Sequence, residues 1–281
     1  MSASPATTAP PIPDARAVRL GPASRLSIGL VSAVGLIAFL WPLVAAPESA
    51  AVAHAADAPF LFAVVVPLLL VVVLAQVSDG GMDAKSIAML GVLSAVIAAL
   101  RPLGGGTAGI EPIWVVLILG GRALGPGFGF CLGAVSLFAS ALTTGGVGPW
   151  LPFQMLGAAW VGMGAGLLPR ATGRRELLLL AGYGALACVA YGFLLNLWFW
   201  PFTSGLPEQL SFTAGAGMAE NLVAWLRFCL VTSLGYDLPR AILTVVLILV
   251  AGRPVLSALR RMSRKAAFGA PASFTPADQA A

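Results

Sequence analysis

The sequence predicts an all-α protein, a polytopic membrane helix bundle with a six-helix core and two additional N-terminal transmembrane helices. Of its 281 residues, 59% are hydrophobic and only 10% are charged, whereas a typical soluble domain has roughly 25% charged residues. The mean hydropathy is +0.94. A chain with so few charges could not cover a water-exposed surface, so lipid must be the solvent for most of its exterior.

Apolar segments near the 20-residue length that crosses a bilayer follow one another along the chain. The first two are Ser27–Ala46 and Pro59–Val77, and a polar break separates them from the third, Ala84–Leu100. The later predicted spans are Ile113–Gly121, which is short, Gly125–Leu142, Leu151–Leu168, Glu176–Trp200 and Leu238–Ala251. The sequence therefore predicts eight crossings.

The segments between and around these spans complete the predicted organisation. Residues 201–217 are polar and loop-like, and Met218 to about Gly235 is predicted to be an interfacial helix. The predicted units are a disordered cytoplasmic N-terminus at 1–25, two transmembrane helices at 26–83, a six-helix core at 84–261 and a disordered cytoplasmic tail at 262–281. These boundaries follow changes in composition from Ala, Pro and Ser to continuous apolar residues.

Basic residues give the predicted orientation, because short cytoplasmic loops are enriched in Lys and Arg. With eight crossings and a cytoplasmic N-terminus, all but three of the sixteen basic residues fall on the cytoplasmic side. The exceptions are Arg101, Arg227 and Arg240. We therefore predict a multi-pass protein of the inner (cytoplasmic) membrane with both termini in the cytoplasm.

Polar and aromatic residues collect at the predicted outer level, where those exceptions lie. Ionisable groups within a membrane are costly and usually face a cavity or a partner, and ligand pockets combine aromatic walls with a few placed polar groups. The predicted substrate-binding residues are Arg101, Glu111, Trp114, Trp150, Gln154, Asn196, Trp200, Asp237 and Arg240. For Trp150 an interfacial anchor, and for Asp237 a helix N-cap, are equally open interpretations.

Small residues form two further patterns. Gly91, Ala95 and Ala99 share one face of the third span, which allows close approach either of another helix of this chain or of a partner subunit. The glycines of Gly125–Gly129 resemble a dinucleotide-binding pattern only loosely, because no strand precedes them. We expect them to permit a sharp turn and tight helix packing.

Other functional classes lack the residues that they need. The single histidine, His54, cannot build a metal site, and the three cysteines lie in apolar segments without a CxxC pair. We therefore predict no metal and no cofactor. There is no basic stripe for nucleic acid, and the single histidine, with no HExxH and no paired carboxylate motif, argues against an intramembrane enzyme.

The stretch from Ala84 to about Arg261 resembles the substrate-binding S components of energy-coupling factor (ECF) transporters. The resemblance rests on the small-residue third span, the short fourth span, the Ala123–Gly127 turn and the Gly148–Met155 sequence. The closing segment, Leu230–Arg240, is similar to that of cobalamin-type members. The first two spans lie outside the resemblance.

The resemblance implies an S-component-like six-helix core that captures a vitamin or related micronutrient, with no enzymatic activity of its own. It implies docking through Gly91, Ala95 and Ala99 onto a transmembrane coupling subunit that works with two cytoplasmic ATPases. The chain has no GxxxxGK[ST] pattern, so ATP would be hydrolysed by other chains. A self-sufficient secondary transporter of a small organic solute is the alternative hypothesis.

Overall fold

Helices form nearly all of the protein that the computed structural model describes, namely residues 20–44, 53–79, 82–104 and 109–265. No strand occurs in these ranges, which confirms the all-α prediction. The α-helices in chain order are α1 (Pro22–Val44), α2 (Ala53–Ser78), α3 (Ala84–Leu100), α4 (Ile113–Leu124), α5 (Pro126–Thr144), α6 (Leu151–Leu167), α7 (Gly173–Phe199), α8 (Met218–Phe228) and α9 (Leu234–Lys265).

Helices occur at all eight predicted positions. Five helical runs of the described chain are long and apolar enough to cross a membrane by length and composition. The fourth predicted span is short as expected, since α4 has 12 residues, and α6 has 17. The predicted third span has the same bounds as helix α3.

The predicted separation of an interfacial helix ending near Gly235 from a last span beginning at Leu238 is wrong. A π-helical turn, Cys229–Ser233, joins α8 to α9, and α9 continues to Lys265 with Pro239 inside it. Proline lacks a backbone N–H and its ring crowds the carbonyl of the fourth preceding residue, but membrane helices tolerate proline where neighbouring groups satisfy the freed carbonyl. Within the π-helical turn, the Thr232 Oγ1 donates to the Phe228 carbonyl at 2.6 Å.

The ends of the chain also differ from the predicted boundaries. Helix α1 begins at Pro22 and α9 ends at Lys265, so each extends four residues into a segment predicted to be disordered. Residues 1–19 and 266–281 lie outside the described residues. His54, which was expected in a connection, lies in the first turn of α2.

Glycines bring α4, α5 and α6 into backbone contact at the centre of the core. A methyl group at Gly162 would overlap the Gly129 carbonyl, and one at Gly121 would overlap the Gly162 carbonyl. Gly125, with φ of 107°, makes the turn between α4 and α5. The predicted sharp turn and tight packing are therefore confirmed.

The two N-terminal helices are tied together where α2 ends. The Ser24 hydroxyl and backbone N–H both donate to Asp79 Oδ2 at 2.7 Å, so Asp79 caps the first turn of α1 from a distant point in the chain. These hydrogen bonds, the hydroxyl one first, hold the pKa of Asp79 below its usual value. Helix α1 also packs against α6, α7 and α8, and α2 packs against α5 and α6.

Candidate ligand-binding site

A buried arginine, Arg240 of α9, lies at the centre of the candidate site. Its Nε donates to Glu111 Oε2 at 2.9 Å, and its Nη1 donates to Asp237 Oδ1 at 2.7 Å. Glu111 stands just before α4, and Asp237 lies three residues before Arg240 on α9. The side chain of Asp237 is 2% exposed, so its negative charge is compensated by the Arg240 guanidinium and not by water.

Two aromatic rings lie together on one side of the same guanidinium. The Cζ atom of Arg240 lies 5.9 Å from the ring centre of Trp114 and 5.6 Å from that of Tyr191. Trp114 Nε1 donates to Glu111 Oε2 at 2.7 Å, and the Trp114 and Tyr191 rings meet edge to face. Cation–π attraction and two ion pairs together fix Arg240 in one position. We call Glu111, Trp114, Tyr191, Asp237 and Arg240 the Arg240 network.

Asp237 is not a helix N-cap, so that interpretation is wrong. It lies inside α9, where its Oδ2 accepts a hydrogen bond of 2.6 Å from the Ser233 hydroxyl. A methyl group at Gly192 of α7 would overlap the Asp237 carboxylate. The glycine therefore lets α7 approach closely enough for the carboxylate to be buried between the helices.

A cavity of about 350 Å³ lies beside the Arg240 network, between α7 and the α8–α9 run. This volume is at the small end of the range for ligand pockets. Its π-helical wall is a feature found frequently at functional sites. The side chains that line it include Tyr191, Asn196, Phe199, Thr203, Leu206, Phe228, Thr232, Ser233, Tyr236, Asp237 and Arg240.

A second polar pair joins the end of α3 to the start of α6. Arg101 Nη2 donates to Gln154 Oε1 at 2.8 Å. Neither residue lines the cavity beside the Arg240 network. The structure thus brings these two predicted residues together, but as a pair separate from Glu111, Asp237 and Arg240.

The other predicted residues occupy three different environments. Asn196 lines the cavity, with its Nδ2 3.2 Å from Cys229 Sγ. Trp200 is fully buried, and its Nε1 donates to the Leu210 carbonyl at 2.7 Å, so it holds the 201–217 segment. Trp150 is exposed and contacts the Trp198 ring, away from the cavity lining.

Sequence reasoning missed several lining residues that share a helix face with predicted ones. Ser233 and Tyr236 precede Asp237 and Arg240 by four residues each, so all four lie on one face of the helical run. Helical spacing could have found them. Tyr191 had no such signal, because its place against Arg240 depends on how α7 packs against α9.

A separate ion-pair network joins three helices at the other end of α4. Glu176 Oε1 accepts hydrogen bonds from Arg122 Nε at 2.7 Å and from Arg260 Nη2 at 2.6 Å. The Glu176 side chain is 4% exposed. These contacts tie the end of α4 to the start of α7 and the end of α9, so they stabilise the bundle away from the cavity.

The small residues of α3 face outward. Gly91, Ala95 and Ala99 are exposed, while Leu93, Ser94, Ile97 and Ala98 are buried against the bundle. A methyl group at Gly91 would have no neighbour within 4 Å among the described residues. Packing within this chain therefore does not account for the small-residue face in the described structure.

A family model for the substrate-specific component of ECF transporters matches residues 85–252. This stretch contains α3 to α8 and most of α9, including the cavity and the Arg240 network. The chain therefore belongs to the family of ECF transporter substrate-specific components, which are membrane transporter subunits and not enzymes. No curated protein and no solved structure matches the chain. Helices α1 and α2 precede the matched residues.

Proposed function

We propose that this protein is the substrate-capture subunit of an ATP-driven importer for a vitamin-type micronutrient. The observation that carries the proposal is a cavity bounded by a buried charge network within the residues that match the family. A transmembrane coupling subunit and two cytoplasmic ATPases would supply the energy. The protein would lie in the cell membrane with both termini in the cytoplasm, as the distribution of basic residues indicates.

The charges at the cavity favour an uncharged ligand. Asp237 and Arg240 alone are charged among the described lining residues, and they form an ion pair with each other; Glu111, the second carboxylate of the Arg240 network, does not line the cavity. Arg240 also pairs with Glu111 and contacts two rings, so it does not offer a free cation to a ligand anion. Hydroxyl, amide and aromatic groups form the rest of the polar lining, which suits a planar ligand with hydrogen-bonding edges.

The size of the cavity favours a compact ligand over a corrinoid. About 350 Å³ accommodates a ligand of a few fused rings with one side chain, whereas a corrin ring with its nucleotide loop is much larger. This volume favours a smaller ligand, although Leu230–Arg240 is similar to the corresponding segment of cobalamin-type members.

A panel of probes that differ in charge and size tests this ligand class. Purified full-length protein in lipid nanodiscs should bind riboflavin, which is uncharged and much smaller than cobalamin, more tightly than thiamine, biotin or cobalamin. Equilibrium dialysis with each radiolabelled probe measures this order, and Ser233→Ala with Asn196→Ala should weaken the binding of the best probe. Tightest binding of thiamine or biotin would contradict the charge argument, and tightest binding of cobalamin would contradict the size argument.

The exposed face of α3 supports docking of the coupling subunit. Small residues allow two membrane helices to approach closely, and Gly91, Ala95 and Ala99 form such a face. This assignment is independent of the cavity, because none of the three residues lines it.

Gly91→Leu should abolish co-purification with the coupling subunit while leaving the thermal unfolding temperature and probe binding unchanged. The leucine would project into open space on this chain but would hold a partner helix away. Gly182→Leu is the matched control, because Gly182 on α7 also has no neighbour within 4 Å. Assembly that survives Gly91→Leu, or fails equally with Gly182→Leu, would contradict the assignment. Uptake by this chain alone that persists under ATP depletion would favour a secondary transporter instead.

A further inference from the structure

Helices α1 and α2 lie before the residues that match the family, yet α1 packs closely on the core. Phe39 of α1 is fully buried, with its ring centre 4.8 Å from that of Phe153 and 5.9 Å from that of Trp160. Trp160 Nε1 also donates to the Ser32 hydroxyl at 2.9 Å. These contacts fix the position of α1 against α6.

The end of α1 reaches the segment that connects α7 to α8. The Trp41 ring centre lies 6.4 Å from that of Phe202 and 6.1 Å from that of Phe212. Phe212 in turn meets the Trp200 ring edge to face at 5.4 Å. Trp41 and Trp200 therefore both contact Phe212, one from α1 and one from the end of α7.

The 201–217 segment is ordered by these rings and by a few polar contacts. Trp200 Nε1 donates to the Leu210 carbonyl, and the Asn221 amide of α8 exchanges two hydrogen bonds with the backbone of Thr213. Two short 3₁₀ turns are the main regular structure in this segment. Aromatic contacts of this kind are worth more than their buried area alone.

The same segment forms one wall of the cavity. Thr203 and Leu206 line it, together with the Ser233 and Asp237 side chains of the α8–α9 run. A change in the packing of Trp41 would thus reach the cavity through Phe202 and Phe212. The small-residue face of α3 is far less affected, because α1 makes no extensive contact with α3 in the described structure.

We propose that α1 is a working part of the ligand-binding site, with Trp41 as a positioning residue that holds the 201–217 segment against the cavity. The expected consequence is slow release of the captured ligand, and this consequence rests on the proposed function. The N-terminal helix thereby has a role in retention that is separate from docking on the coupling subunit.

A spin label on the 201–217 segment tests the contact without any ligand. Gln209 is exposed, and the three native cysteines are buried, so Gln209→Cys gives one accessible thiol, and unsubstituted protein measures background labelling. Adding Trp41→Ala should increase the mobility of the label in the electron paramagnetic resonance spectrum. Ile37→Ala is the matched control, because Ile37 lies on α1 but is 73% exposed. Trp41→Phe should restore most of the immobilisation.

Riboflavin release gives the functional readout. Trp41→Ala should accelerate riboflavin dissociation about tenfold, the order expected for the loss of two aromatic contacts. An unchanged spectrum would overturn the proposal, as would faster release with Ile37→Ala than with Trp41→Ala. Failure of riboflavin to bind any variant would instead count against the proposed ligand class, and the spectrum alone would then decide the role of Trp41. If Trp41→Ala does not fold, Phe212→Leu must mobilise the label in its place.

Discussion

Arg240→Met should both destabilise the protein and abolish binding of the best probe. It would leave the Glu111 and Asp237 carboxylates, which now meet at one guanidinium, without a counter-ion. Removing one partner of a buried ion pair typically costs about 3–5 kcal/mol. The apparent unfolding temperature, followed by intrinsic fluorescence in nanodiscs, should fall by on the order of 10 °C.

Neutralising the carboxylates separates the loss of charge balance from the loss of the arginine. Arg240→Met combined with Glu111→Gln and Asp237→Asn should recover most of the lost unfolding temperature, because the amide oxygens can still accept from Trp114 and Ser233. Probe binding should not recover, since the cavity wall has changed. Arg240→Lys should give an intermediate unfolding temperature, because a single ammonium lacks the forked donors with which a guanidinium bridges two carboxylates. An unfolding temperature unaffected by Arg240→Met would show that the network does not hold α4 to α9.

The sequence was sufficient to predict the helices because their signal is local. Apolar stretches and the turn residues between them placed α3 at its observed bounds and marked α4 as short. The exception is the α8–α9 run, where an interfacial helix was predicted to end near Gly235 and the last span to begin at Leu238. Whether a helix continues through a proline depends on the packing and hydrogen bonds around it, and no hydropathy pattern contains this information.

The sequence predicted the level in the membrane at which the site residues lie, but not the directions in which their side chains point. Residues at one level of several spans were grouped, and Glu111, Trp114, Asp237 and Arg240 do meet. Trp150 and Trp200 lie at the ends of their helices too, yet one is exposed and the other packs beneath the 201–217 segment. Position along a helix does not fix rotation about its axis, so depth alone cannot decide which side chains face one cavity.

The sequence did not predict the long-range ion pairs, for a related reason. Arg122 and Arg260 are 54 and 84 residues from Glu176 along the chain. Only the packing of α4, α7 and α9 makes the three side chains neighbours. The basic residues were predicted as topology signals, and nothing in their spacing distinguishes a residue that only marks a membrane side from one that also ties three helices together.

Gly162→Val should prevent α4, α5 and α6 from packing and should greatly reduce the yield of folded protein. The added side chain would overlap the backbone carbonyl of Gly129, which no rotamer change can move away. Overpacking of this kind costs up to about 3 kcal/mol, and more where backbone must shift. Size-exclusion chromatography in detergent should show aggregate in place of the monodisperse peak.

Gly182→Val is the matched control for this change, and it should behave in the opposite sense. Gly182 also lies within a membrane helix, but a Cβ there would meet no atom within 4 Å. Glycine is a poorer helix former than valine by a few tenths of a kcal/mol, so the control should fold as well as or slightly better than the unsubstituted protein. Equal tolerance of both substitutions would show that α4, α5 and α6 do not cross in backbone contact. Equal damage from both would show that loss of a helical glycine, not the crossing, is responsible.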